Sequence, residues 1–182
     1  MKREPLIIKA ILMLFIIIVQ GFTLDNSYTI TPGIGIDKII VGQTRLSDLF
    51  LLIGKNDEFT QGIIDGKKRV FFINRYIYTN LGLTIVTHTE GYGSENLENP
   101  IIDNIIVQSP ANAETIGNIL LGIDEKEKII SVLGKPDNDR DIYSTVTYFH
   151  YRQKGISFGI NDETKKIKSI EVYRKNGSPE KQ

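Results

Sequence analysis

Apolar residues recur along the chain at two spacings. Leu46, Leu49, Phe50 and Ile53 fall at i, i+3, i+4 and i+7, one face of a helix. Ile129, Ile130 and Leu133 repeat the spacing further on. Gly54 and Gly134 follow the two runs, where a left-handed backbone position ends a helix cheaply, and Pro136 reinforces the second stop. Thr44 and Asp124 precede the runs and are expected as N-caps, because their side-chain oxygens can accept from the first free N–H groups. Asp124 with Glu127 has the spacing of a capping box. Other segments alternate. Ile156, Phe158 and Ile160, the turn "NDETKK", then Ile170 and Val172 predict a hairpin. "FFINRYIY" (71–78) and "YSTVTYFHY" (143–151) are aromatic-rich strand material. Alternation puts Tyr148 and His150 on one strand face, Phe149 and Tyr151 on the other. The Ile-rich stretches 33–42 and 116–122 are expected as short strands.

The two helical runs belong to a longer internal match. Residues 39–57, "IIVGQTRLSDLFLLIGKND", align without a gap to 119–137, "ILLGIDEKEKIISVLGKPD". Ile39, Gly42, Gly54, Lys55 and Asp57 recur as Ile119, Gly122, Gly134, Lys135 and Asp137. Residues 78–85 match 151–158, and 102–107 match 167–172. Internal repetition at fixed spacing governs the reading of everything else. The predicted fold class is therefore α+β, with two tandem repeats, 32–109 and 113–174. Each repeat is expected as one helix packed on an antiparallel β-sheet of three to four strands. The boundary is expected in "QSPANAET" (108–115), with a loose leader over 24–31 and a disordered tail over 175–182. The copies differ in one connection. The second turns through six residues, whereas the first runs through the long polar stretch 87–100. Long connections in compact domains are often functional.

A helix bracketed by Gly42, Thr44, Gly54 and Asp57, and again by Gly122, Asp124, Gly134, Pro136 and Asp137, resembles the SmpA/OmlA (BamE-type) outer-membrane assembly modules. Its duplication resembles the β-lactamase inhibitor protein, whose fold repeats a helical segment and an antiparallel sheet. The resemblance spans about 34–107 and 116–173. It implies a protein that binds other proteins, and its motif residues shape helix exits without carrying an active site.

The N-terminus adds a compartment. Lys2, Arg3 and Lys9 precede the uncharged run "AILMLFIIIV" (10–19), the form of a secretory signal peptide. Residues 1–23 are expected as a cleaved signal, the alternative being an uncleaved membrane anchor over 6–22. The expected location is periplasmic or secreted. The chain has no cysteine, which excludes a lipobox, disulfides and a cysteine nucleophile. Lys+Arg and Asp+Glu are both 22, so no basic footprint for nucleic acid is present.

Chemistry is sparse. Gly33 and Gly35 lack the third glycine and the Gly-Lys-Ser/Thr of a phosphate loop. His88 with Glu90 could supply two metal ligands, short of the three or four a site needs, so no metal or cofactor is expected. No G-x-S-x-G elbow selects a catalytic serine. The expected binding residues are His88, Glu90 and Tyr92 in the long connection, and Tyr148 and His150 on the strand face. The expected function is a non-catalytic, exported bacterial protein-binding module, either an envelope assembly factor or inhibitor-like. The alternative is a periplasmic binder of small ligands or cell-wall fragments.

Overall fold

The structure is a computed structural model and describes residues 26–65, 70–90, 99–137, 142–143 and 145–175. The expected signal or anchor segment, Tyr92 and most of the expected tail lie outside those residues. The described chain is mostly β. Its strands are β1 (Ser27–Thr31), β2 (Gly35–Ile36), β3 (Ile39–Ile40), β4 (Glu58–Asp65), β5 (Val70–Tyr78), β6 (Leu83–Glu90), β7 (Asn104–Gln108), β8 (Asn112–Thr115), β9 (Ile119–Leu120), β10 (Ile142–Tyr143), β11 (Val146–Tyr151), β12 (Ile156–Asn161) and β13 (Ile167–Tyr173). Two helices of eight residues each, α1 (Leu46–Ile53) and α2 (Lys126–Leu133), interrupt them.

This corrects the expected fold class. The strands do not form two separate sheets, each under its own helix. One antiparallel eight-stranded sheet runs β10-β11-β12-β13-β7-β6-β5-β4, and a second, five-stranded sheet runs β3-β2-β1-β8-β9. Two long-range pairings cause the fusion. β13 pairs with β7, Ile170 opposite Val107 and Val172 opposite Ile105. β1 pairs in parallel with β8, Ser27 opposite Asn112 through Ile30 opposite Thr115. Ile105, Val107, Ile170 and Val172 are fully buried, so separating the halves would expose the centre of the core. The stretch expected as a boundary thus contains β8, and the expected leader contains β1.

The molecule has two layers. One face of the large sheet carries Tyr76, Tyr78, Leu83, Ile85, Ile105, Val107, Ile170, Val172, Ile156 and Phe158. These join Ile30, Ile36 and Ile119 of the small sheet and Leu49 and Ile129 of the helices in one apolar core. The opposite face holds Val86, Val146 and Tyr173, which are buried yet stand apart from that core.

The matched stretches of sequence make matched local bonds. Gly42 N–H donates to Ile102 O, and Gly122 N–H to Ile167 O, at 2.6 and 2.9 Å. The Tyr78 hydroxyl donates to Gly54 O, and the Tyr151 hydroxyl to Gly134 O. Asp57 Oδ2 accepts from Thr79 N–H at 2.7 Å, and Asp137 Oδ2 from Arg152 N–H at 2.9 Å. Each aspartate caps the 3₁₀ turn that closes the following hairpin.

Thr44 and Asp124 act differently from expectation. Residues 45 and 125 form β-bridges with 101 and 166, which keeps the chain extended until the helices begin. Arg45 and Glu125 are therefore the N-cap residues, without a side-chain cap bond. Thr44 Oγ1 and Asp124 Oδ2 turn back and accept from Ile40 and Leu120 N–H, at 2.8 and 2.7 Å. The expected Asp124–Glu127 capping box is absent for the same reason. Ile130 also departs from expectation. α2 buries Ile129, with Val132 and Leu133 packed beside it, and Ile130 faces outward.

Candidate functional site

The face of the large sheet away from the helices mixes polar, aromatic and aliphatic side chains, and polar and aromatic groups meet at its β11–β13 end. Alternation along β11 places Tyr148 and His150 there, while Phe149 and Tyr151 enter the core. Register sets Tyr148 opposite Gly159 of β12 and His150 opposite Ser157. Gly159 makes room for the tyrosine. A Cβ at that position would stand 3.1 Å from Tyr148 Cε1 and 2.5 Å from Ser169 Oγ. Tyr148 and His150 stack with ring centroids 6.3 Å apart and an interplanar angle of 11°.

A chain of polar contacts runs across three strands beneath these rings. His150 Nδ1 lies 2.9 Å from Ser157 Oγ, and Ser157 Oγ lies 3.0 Å from the Tyr173 hydroxyl. The Tyr173 hydroxyl donates to Ile156 O at 3.2 Å. The arrangement in which each hydroxyl donates once has Ser157 donating to Tyr173 and His150 Nδ1–H donating to Ser157. Burial raises the Tyr173 phenol above its ordinary 10.0, and the contact with Ser157 offsets this in part. Tyr173 thus keeps its proton at neutral pH. Beside this chain, Asn104 Nδ2 donates to Glu171 Oε1 at 2.9 Å.

Histidine, serine and glutamate on one face invite a catalytic reading, and the geometry argues against it. Register places Ser157 between His150 and Glu171, so the acid neighbours the serine and the base is not oriented by it. Ser157 is only 1% exposed, which keeps its hydroxyl from an incoming substrate. The arrangement bonds His150 to Ser157 and packs Tyr148 against Gly159.

Of the expected binding residues, Tyr148 and His150 lie together and His88 lies apart from them. His88 lies on the same face, in β6, four strand steps across from His150 and four residues along from the level position Thr84, about 23 Å away at ordinary strand spacing and rise. Asp103 Oδ2 holds it, accepting from His88 N–H at 2.6 Å and lying 3.1 Å from Nδ1. The connection expected over 87–100 begins later, because β6 runs through Glu90. Tyr92 lies outside the described residues. Ser157, Tyr173, Asn104, Glu171 and Asp103 went unread in the sequence. For Ser157, Glu171 and Tyr173 the parity of β12 and β13 was the signal, since they alternate with Ile156, Phe158, Ile170 and Val172.

Two open clefts flank the small sheet. One, of about 230 Å³, is lined by Tyr28, Asn112, Glu114 and Ile123 among others. The other, of about 520 Å³, lies where Ser109–Asn112 and Leu121–Ile123 meet the β12–β13 turn with Lys166 and Lys168. Comparison with family models, with curated proteins and with solved structures found no match to this chain.

Proposed function

We propose that the protein is a non-catalytic, exported protein-binding module, and that it holds its partner against the β11–β13 end of the sheet face away from the helices. The observation that carries this reading is the stacked pair of rings, Tyr148 over Gly159 and His150 on Ser157. Tyrosine is a frequent anchor at protein interfaces. Rings already held by packing and hydrogen bonds lose little rotamer freedom on association, which lowers the cost of binding. Export rests on the basic and apolar character of residues 1–19. The test is capture from a bacterial envelope extract by the full chain, tagged at its C-terminus. One saturable partner, lost with His150→Ala, is expected. A partner retained at full strength by His150→Ala and Tyr148→Ala alike would refute the assignment of this face.

The 520 Å³ cleft favours a second reading, a small anionic or cell-wall-derived ligand held by Lys166, Lys168 and Asn161. A thermal-shift screen with muropeptides separates the two. Stabilisation abolished by Lys166→Ala would favour the ligand reading.

A further inference from the structure

We propose that β4 is a self-pairing edge, through which two copies of this chain join their large sheets in antiparallel β4–β4 contact. The two ends of the large sheet differ. At one end, the two residues of β10 pair with Val146 and Thr147, and Asp137 N–H donates to His150 O, so β11 is largely covered. At the other end stands β4, eight residues long, with one backbone edge unpaired by any described strand. Folded proteins usually blunt such edges with lysine, proline or a bulge, because an open row of N–H and C=O groups recruits another strand. The sequence "EFTQGIID" has neither lysine nor proline, and its charges stand at the two ends. Phe59 is 48% exposed and Ile63 67%.

The strand is complementary to itself in one register. A two-fold axis perpendicular to the sheet pairs residues of the same face. Centred on Gln61, it sets Phe59 opposite Ile63 of the second copy, twice over, and Gln61 opposite Gln61. Centred on Gly62, it would set Phe59 opposite position 65, an acidic residue. Centred on Thr60, it would set Ile63 opposite Asp57, whose carboxylate caps Thr79. Of these three, only the Gln61 centre sets apolar opposite apolar. Gln61 donates to Asn74 Oδ1 at 2.8 Å and keeps its own carbonyl oxygen for the partner. Pairing of eight residues alone falls short of the roughly 1,000 Å² of a stable interface. The helix layer supplies more. Phe59 and Phe50 of α1 both contact Tyr76, and Leu51 of that helix is 87% exposed.

The test is sedimentation velocity on the full chain and on Ile63→Lys, together with a cysteine scan. The chain has no cysteine, so an introduced one is its only thiol. The wild type is expected as a dimer, and Ile63→Lys at half its mass with unchanged circular dichroism. Under mild oxidation Gln61→Cys is expected to cross-link. Thr60→Cys is not, because its diagonal separation across the axis, about 7–8 Å, is too long for a disulfide. A monomeric wild type overturns the proposal. So does a dimer that survives Ile63→Lys, which would place association elsewhere, including the N-terminal apolar run. Should Ile63→Lys fail to fold, the cross-linking contrast decides alone. Equal or faster cross-linking of Thr60→Cys refutes the register and with it the proposal.

Discussion

Substituting Gly155 by alanine isolates the joint between the two sheets. Gly155 ends the 3₁₀ turn between β11 and β12 at φ +68°. Its carbonyl accepts from Gly33 N–H of the small-sheet layer and from Tyr173 N–H of β13, each at 3.1 Å. An alanine Cβ would stand 2.4 Å from Tyr173 O and 2.5 Å from Gly33 Cα. Both obstacles are backbone, so no side-chain rotation relieves them. The left-handed backbone costs alanine about 1–2 kcal/mol. Forcing two backbone segments apart adds about 1–3 kcal/mol. For a chain of this length, 1 kcal/mol shifts Tm by about 2–4 °C. Gly155→Ala is therefore expected to lower Tm by roughly 10 °C. Gly122→Ala is the control, at φ +75° with nothing within 4 Å of the added Cβ. It carries the backbone cost alone, a loss of roughly 4 °C. Differential scanning calorimetry on both variants measures the difference. Equal losses would refute the steric argument and the close approach of the layers behind it.

The remaining predictions concern pH and the local bonds. Burial, with the nearby Asp57 and Asp137 carboxylates, pushes Tyr78 and Tyr151 from 10.0 up to about 12. Above pH 10 the unfolded chain releases protons that the folded chain retains, so the stability is whole below that pH and falls as pH rises toward 12. The urea midpoint should follow this course, and the double variant Tyr78→Phe, Tyr151→Phe should flatten it. Asp57→Ala and Asp137→Ala each remove a charge-assisted bond to a turn N–H, worth about 1.5–3 kcal/mol. Asp137 is the more buried of the two, so urea denaturation should show the larger loss there. Tyr173→Phe takes one partner from the buried Ser157 hydroxyl, at a cost of about 1–3 kcal/mol, and NMR of the His150 ring should show it released from a single orientation.

What the sequence disclosed is what short-range chemistry decides. Gly54 and Gly134 do end helices, and 156–173 is a hairpin, because glycine at positive φ and period-two alternation act over a few residues. The faces of Tyr148 and His150 followed from alternation alone. The pairing of β7 with β13 and of β1 with β8 did not, since a strand's own pattern states which face is buried and not which strand lies beside it. Thr44 shows the same limit at one residue. Its position before the apolar run predicted a cap, but the bridge between Arg45 and Ile101 delays the helix and turns the hydroxyl back to Ile40. The polar chain through Ser157 and Tyr173 needed the β12–β13 register, which no local signal fixes.

The binding reading turns on Tyr148, which is only half buried and sits clear of the core, so its removal should touch recognition far more than stability. The most direct test is the dissociation constant of the captured partner for Tyr148→Ala against wild type, by calorimetry with matched melting curves. The account predicts about a thirtyfold loss or more, the signature of an anchor worth about 2 kcal/mol. An unchanged constant in a normally folded variant would contradict it.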